Sequence, residues 1–416
     1  MSYFRIYIYL SINNFLRSVL FPSNKQKEKK IEKIYNKITK KKYSFLTSQL
    51  RVGFVLVLKY LKKKFPAKNE VIVNSYNLAE MVNICHNFKL ETVFTKLNKN
   101  IFISSKDLIK KINKNTLAIV ITNIFNDQKD ILKIKKICKK KKVILIEDNA
   151  IYFGNYFKSG NKIIYSGSFG DYSLHSFNIM KNISGMFGGL VSTNDKNFIE
   201  FAIKENESFK GFPYFKYIKQ IFVFFILKIF SIQIFYRSIF FHFIKEAHKK
   251  NNKYILNAIY PSLKFNKKNN FQSYLYKINP LTINMVYEQL KEFKSFLINY
   301  KLRMANNQYY EKLFMEYKIK NLEIIKIKNK TFQNFNEYPI IINDKNKLKN
   351  YLFDKGIETK MIQYIDCQKI FKNNNKKGSL DNFENKILCL PNHKNISKKY
   401  ISYIVKNINY FYKNNY

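Results

Sequence analysis

Residues 143–194 read VILIEDNAIYFGNYFKSGNKIIYSGSFGDYSLHSFNIMKNISGMFGGLVSTN. The run Val143-Ile144-Leu145-Ile146 is apolar and rich in β-branched side chains, and it ends in the acidic pair Glu147-Asp148. An unbroken apolar run of this kind predicts a strand buried in a parallel sheet. In open α/β sheets ligands sit at the carboxyl ends of strands, which puts Asp148 at a ligand-holding position. Further on come Ser176-Phe177, Lys181, Gly185 and the pair Gly188-Gly189.

A strand-end carboxylate, a hydroxyl and an amine in one short segment are what pyridoxal phosphate chemistry needs. The lysine amine takes the cofactor's aldehyde. The carboxylate pairs with the pyridine nitrogen and keeps it protonated, so that the ring acts as an electron sink. The serine hydroxyl donates to the phosphate. Taken singly, none of these residues is specific: the chain has 75 Lys+Arg, and an aspartate at a strand end more often makes a turn or cap. An ordinary α/β sheet with a glycine turn is the plain alternative. Taken together, D148-N-A, S176-F-N-I-M-K181-N-I-S and G188-G189-L-V-S-T-N resemble the DegT/DnrJ/EryC1/StrS family of pyridoxal phosphate-dependent nucleotide-sugar aminotransferases. The resemblance implies the fold-type I arrangement, a large, mostly parallel α/β domain followed by a smaller C-terminal α+β domain. It implies Lys181 as catalytic and cofactor-binding residue, with Asp148 and Ser176 as further cofactor ligands. Relatives that dehydrate rather than transaminate carry histidine in place of this lysine, and Lys181 argues against that branch.

Upstream, Leu50-Arg51-Val52-Gly53 occupies the place where the family carries a Ser-Gly-Thr or Gly-Arg segment at a helix start. Backbone amides at helix N-termini bind anions. Arg51 is either a charged phosphate ligand or a solvent-facing side chain. Strands are expected at 70–74, 91–94 and 117–122, and helices at 76–86, 106–112 and 129–140; this βαβ rhythm predicts a parallel sheet with helices on both faces. An aromatic ring usually stacks on the cofactor shortly after the first of these strands. Leu78 holds that place here, and Tyr76, two residues earlier, is the candidate ring. Asn123, Asn126 and Ile151 depart from the family's usual His, Gly and Gln or His.

Downstream, Ser273 to Gln289 resembles a family segment that reaches the other subunit's cofactor phosphate. Lys277 keeps a positive charge where the family has arginine, without arginine's bidentate fork, and Leu275 replaces asparagine. A long helix is expected over 284–317. The second domain then carries a strand at 338–342, a helix at 348–354, a strand at 357–361 and a terminal helix at 396–411. The strings K355-G-I-E-T-K and I387-L-C-L-P-N-H393 resemble the family's C-terminal domain. The resemblance covers roughly residues 48–205 and 275–412. We divide the chain into an N-terminal helical and basic arm (1–47), the large cofactor-binding domain (48–210), an apolar amphipathic insert (211–272) and the interdomain helix with the small domain (273–416).

A net charge of +47 ordinarily suggests nucleic acid or an anionic membrane. The basic residues are spread along the whole chain, however, and Lys, Asn, Ile, Phe and Tyr are enriched together. Those residues share AT-rich codons, so no nucleic-acid partner is expected. Four cysteines without a CxxC pair fit a reducing, cytoplasmic compartment. Five histidines without metal-binding spacing give no metal site, and His175 reads as a packed core residue. Residues 1–22 have no small-residue cleavage site and read as an amphipathic or packed helix. Lys25 to Lys42 reads as a solvated basic linker.

The insert is the unusual part. Residues 219–245, KQIFVFFILKIFSIQIFYRSIFFHFIK, are intensely apolar but interrupted by Lys228 and Arg237. The run reads either as a helix in the plane of a membrane, at the inner face, or as a helix pair buried in a dimer interface or under the rest of the fold. The full expectation is a homodimeric transaminase acting on a nucleotide sugar with an amino donor, glutamate by resemblance, in surface polysaccharide or amino-sugar biosynthesis. The departures at 50, 78, 123, 151 and 275 motivate the alternative, a non-catalytic binding protein on the same fold.

Overall fold

The computed structural model describes residues 2–5, 7–21, 23–98, 101–250, 252, 254–256, 270–325, 331–333, 335–360, 364–371 and 383–415. A seven-stranded sheet organises the large domain: β1 (Tyr43–Thr47), β2 (Glu70–Asn74), β4 (Glu91–Thr95), β5 (Thr116–Thr122), β6 (Ile144–Asp148), β9 (Tyr172–Ser176) and β10 (Gly189–Thr193). Their order is β1-β10-β9-β6-β5-β2-β4. From β4 to β9 every neighbour is parallel, while β9–β10 and β10–β1 are antiparallel.

Strand alternation explains how both faces are buried. Val71, Val73, Val120 and Ile146 face one layer, formed by α3 (Leu50–Lys64), α4 (Ala79–Asn87) and α7 (Lys196–Glu207). Ile72, Ile119, Ile121 and Leu145 face the other, formed by α5 (Ser105–Lys111) and α6 (Gln128–Lys141). A sheet covered on both sides needs apolar residues at successive positions, as the runs at 71–73, 117–121 and 143–146 provide. Helix α3 presses closely on the sheet, since a Cβ on Gly53 would lie 2.6 Å from Val191 Cγ2.

The small domain is built on the antiparallel sheet β11 (Leu322–Ile324), β13 (Tyr338–Ile342) and β15 (Ile387–Leu390), ordered β11-β13-β15. Two short pairings tie it to the large domain. Strand β14 (Ile365–Asp366) pairs with β3 (Tyr76–Asn77), and β12 (Thr331–Phe332) pairs with β7 (Tyr156–Ser159), which makes a hairpin with β8 (Lys162–Tyr165).

Several local expectations are corrected. The helix expected from Tyr76 begins only at Ala79, because Tyr76 and Asn77 are paired with β14 and the Asn77 side chain accepts from the Leu78 N–H. The expected helix 284–317 is two helices, Pro280–Lys291 and Phe293–Tyr317, parted at Glu292, whose backbone (φ −95°, ψ 36°) leaves helical geometry. Residues 357–359 form no strand, and Lys360 makes only an isolated bridge to Cys389. There the Glu358 carboxylate and the Thr359 carbonyl are taken up by Arg5, which holds the chain in place of a ladder; Met361 lies outside the described residues.

The basic stretch after the N-terminal arm is not a solvated linker. It forms α2 (Lys25–Thr39), capped by Asn24, with Ile31, Tyr35 and Ile38 buried at helical spacing. Ahead of it, the helix expected over residues 1–22 spans only α1 (Ile12–Leu20). The segment before it is extended and buries Phe4, Ile8 and Leu10 against the insert. The insert folds as α8 (Tyr214–Phe230), a short α9 (Gln233–Phe235), a π-helical turn over Tyr236–Phe240 and α10 (Phe241–Lys249). Its two halves meet at 80°, and no single described helix is long and apolar enough to cross a membrane.

Candidate active site

The carboxyl ends of β5, β6 and β9 lie side by side in the parallel part of the sheet. Asp148 is the last residue of β6, in register with Thr122 on β5 and Leu174 on β9. It is 5% exposed, and its Oδ1 accepts from the Ala150 N–H at 2.9 Å. Burial pushes its carboxyl up to about 6, against the pull of that N–H and of the Lys181 charge.

Lys181 sits in the loop between β9 and β10. Burial draws its amine down to about 8, and the neighbouring Lys360 charge adds to this, while Asp148 and Glu337 act in the opposite sense. Each charge acts on the other, so the two side chains share one electrostatic environment; Asp148 is buried and Lys181 half-buried. An amine held near 8 has an appreciable neutral, nucleophilic fraction at neutral pH. The loop is pinned from three sides. Asn182 donates to the Phe153 carbonyl at 3.1 Å and accepts from Arg303 Nη2 at 2.8 Å. Gln289 accepts from the Ser184 N–H at 3.1 Å and donates to the Ser184 carbonyl at 2.6 Å. Arg303 is 1% exposed, and its other arm donates to Asn336 at 2.6 Å, beside Glu337.

A second cluster lies at the start of α3. Ser176, at the end of β9, is in register with Gly189. Gly188 adopts φ +112°, which favours glycine, and its N–H donates to the Ser48 carbonyl at 2.7 Å. A Cβ on Gly189 would collide with the backbone nitrogen of Leu50. The glycine pair thus lets β10 approach the first turn of α3, where Val52 and Gly53 already donate to the Gln49 carbonyl and the leading N–H groups of Leu50 and Arg51 precede the helical ladder. Ser48 Oγ is buried there with no hydrogen-bond partner. Asn77 Nδ2, beside Thr122, is likewise buried and unpartnered. An orphaned hydroxyl at the start of α3, an orphaned amide beside the end of β5, and a carboxylate and an amine that act on each other fit a phosphate-bearing aromatic cofactor, and the residues present suit pyridoxal phosphate.

The small domain adds residues within electrostatic reach of Lys181 and Asp148 that the sequence reading did not single out as site residues. Lys360 donates to Glu337 Oε1 at 2.6 Å. Burial pushes the Glu337 carboxyl up, but Lys360, Arg5 and Lys181 outweigh it and hold the group below its usual range. Tyr364 is near enough for Asp148 and Glu337 to add to the burial that raises its hydroxyl pKa. Its ring lies 5.9 Å from that of Tyr76. Lys360 ends the K355-G-I-E-T-K string, so a signal for it existed; Glu337 and Tyr364 carried none.

Of the remaining sequence candidates, Tyr76 is buried on β3 beside Tyr364. The Arg51 guanidinium donates to Gln49 Oε1 at 3.0 Å and lies 4.6 Å over the Tyr274 ring. Lys277 stands apart with an exposed side chain, its backbone N–H donating to the Lys210 carbonyl at 2.8 Å. Asn123 and Asn126 join an amide network in which Asn126 donates to Asn123 and Asn123 to Asn149. His175 is a core residue: burial draws its ring down to about 3, and it packs on Tyr35 and Phe153. Glu147, next to Asp148, is structural, accepting from the N–H groups of Gly167, Phe169 and Gly170. No cluster of three or more metal-ligating side chains occurs among the described residues.

A family model for the DegT/DnrJ/EryC1/StrS aminotransferases matches residues 9–212 and 246–409. The chain belongs to this family. The match reaches into the N-terminal arm, further than the sequence motifs reached, and leaves out 213–245, the apolar stretch. Among curated relatives, GDP-perosamine synthase of Vibrio cholerae is 31% identical over 33% of this chain and 36% of its own length. The enzyme of that name from Escherichia coli O157:H7 is 29% identical over 44% of this chain and 48% of its own. The chain thus spans between a third and a half of the relatives it matches. In fold, Helicobacter pylori PseC, an aminotransferase of pseudoaminic acid biosynthesis, superimposes with a TM-score of 0.73 over the whole of both chains at 16% identity. The aminotransferase TlmJ from Streptoalloteichus hindustanus gives 0.71 at 14% identity, over 99% of this chain and 98% of its own. The architecture is that of the sugar aminotransferases, a mostly parallel large sheet with a smaller C-terminal domain.

Proposed function

We propose that this protein transfers an amino group, from glutamate by family resemblance, to the keto group of a nucleotide-linked sugar. The reading rests on a buried Asp148 within electrostatic reach of a Lys181 amine held near 8. Pyridoxal 5'-phosphate, when bound, supplies the electron sink for charge that develops on the substrate carbon. Lys181 Nζ would hold the cofactor's aldehyde carbon. Once displaced by the donor amine, it would move the proton between the substrate carbon and the cofactor carbon as general base and then general acid. Asp148 would hold the pyridine nitrogen protonated. Ser176 and the start of α3, with Arg51 beside it, would hold the phosphate, and Tyr76 would pack on the ring. Lys277 points to a homodimer, in which it would reach the phosphate site of a second copy. We place the protein in the cytoplasm, at the inner face of the membrane.

Reduction with borohydride in the presence of pyridoxal phosphate, followed by peptide mapping, tests the assignment. The label is expected on Lys181, and the protein should convert a nucleotide-linked ketosugar to the amine with glutamate as donor. Labelling elsewhere would overturn the residue assignment. No labelling and no turnover would instead leave a non-catalytic binding protein on this fold.

A further inference from the structure

The insert and the N-terminal helix break the usual partition of side chains. On α8, Tyr214, Phe215, Ile218 and Phe222 are each at least 66% exposed. Ile232, Ile234 and Phe235 at the bend, then Ile239 and Phe243, continue the apolar exposure onto α10. Helix α1 adds Leu16, Val19 and Leu20, and it packs beside α8 through Phe15, whose ring lies 5.4 Å from both Phe224 and Phe225. Most of the large apolar side chains exposed among the described residues belong to these two segments. An exposed apolar patch of this extent marks an interaction surface.

The charges point to what covers it. Lys228, the cation in the middle of α8, is turned inward, donating to the Ile8 carbonyl at 2.7 Å beneath the Tyr7 ring. Lys216 lies 4.9 Å over the Tyr276 ring, and Lys245 pairs with Asp354 at 3.5 Å. What stays exposed with the apolar residues is basic: Lys219 and Arg237. The sequence contains no aspartate or glutamate from 208 to 245, nor in the first 27 residues; the one acid of α10, Glu246, is already paired with Lys249 at 3.1 Å. A second copy seated face to face would set these cations against each other, with Glu246, already paired to Lys249, the one acid on the three helices. An anionic lipid surface supplies the missing charge and takes the apolar side chains. The depth is limited. Helix α8, with 17 residues, is about 25 Å long, short of the roughly 30 Å hydrocarbon core, and the chain turns by 80° after it.

We propose that α1 and the bent pair α8–α10 form one face that seats the protein in the headgroup and upper acyl region of an anionic phospholipid leaflet, without crossing it. This inference is independent of the reaction: it stands or falls without Lys181, and its test reads no turnover.

The test is flotation of the full-length protein with vesicles of phosphatidylcholine alone or mixed with phosphatidylglycerol. The protein should float with the anionic vesicles, less with the neutral ones, and less again as salt rises. Phe215→Glu with Phe222→Glu, and separately Leu16→Glu, should each lower vesicle partitioning by about tenfold or more. Ile203→Glu, at an exposed apolar position on α7, should leave it unchanged. Retained capture of pyridoxal phosphate reports that a variant is folded. Three outcomes would overturn the proposal: a wild-type protein that stays unbound, glutamate variants that float like wild type, or a lipid-free oligomer that dissociates on Phe215→Glu with Phe222→Glu while wild type ignores vesicles. The last would make the face a contact between protein chains.

Discussion

The Lys181 loop and the apolar insert break the same rule in opposite directions. Around Lys181 the fold gathers charge: a buried Asp148 and the half-buried Glu337, Lys360 and drawn-down amine act on one another. Around α8 it does the reverse, turning Phe and Ile outward while Lys228 points in. Burying ionisable groups and exposing large apolar ones both cost stability in an isolated chain. Each departure makes sense where something else completes the structure. At the strand ends that is a small, charged, planar molecule; at the insert it is an apolar surface.

The sharpest way to break this comparison is Lys181→Ala. If the buried amine is kept for chemistry, amino transfer should fall by at least about a thousandfold. Stability should hold or rise, because a desolvated cation is removed. The sign follows from the lowered pKa. Below about 8 the folded chain must bury the charged amine, so the gain from alanine is largest there; it fades as pH climbs toward the ordinary lysine range. Thermal melts across pH, beside single-turnover assays, measure both. A variant that melts well below wild type yet still turns over would show that Lys181 serves the fold.

Next in size is Gly189→Ala. The added methyl would meet the Leu50 backbone nitrogen, so β10 and the first turn of α3 must part. We expect a cost of about 3 kcal/mol in stability, with weaker retention of the cofactor phosphate because that turn is displaced. Denaturant melts and equilibrium dialysis against pyridoxal phosphate read the two effects. A change at the insert, such as Phe215→Glu, should leave both readings alone. An alanine variant that keeps wild-type stability and cofactor affinity would sink the idea that α3 holds the phosphate.

How much of this could be read beforehand differs between the two regions for a physical reason. The strand ending at Asp148 was legible because a doubly buried parallel strand must be apolar at successive positions, leaving 143–146 little else to be. Lys181 and the glycine pair were legible as an ordered set. Glu337 and Tyr364 were not, since they reach the site only through tertiary closure, by the pairing of β14 with β3 and by the small sheet. The basic composition misled at 25–42, where abundant lysines masked Ile31, Tyr35 and Ile38 at helical spacing. At the insert the helical wheel showed amphipathy but not which half faces outward. That depended on Tyr7 and Ile8, more than two hundred residues away, receiving the Lys228 ammonium.

The smallest effect is the most discriminating, because it concerns the wall of the site supplied by the other domain. Lys360 helps hold the Lys181 amine down, whereas Glu337 acts the other way. Lys360→Met removes a neighbouring cation and leaves the Glu337 carboxylate unpaired, so the Lys181 pKa should rise. Capture of pyridoxal phosphate requires the neutral amine, so its rate should climb with pH and level off near 8 in wild type. In Lys360→Met that midpoint should move up by about one pH unit, slowing capture roughly tenfold on the acid side and leaving the alkaline plateau unchanged. Glu337→Gln should move the midpoint down, since it removes a carboxylate and frees the Lys360 charge to act on the amine. Opposite shifts from two side chains 2.6 Å apart would show that the small domain sets the reactivity of the lysine. Midpoints that stay put, or move together, would mean that burial alone sets it and that Lys360 and Glu337 serve only each other.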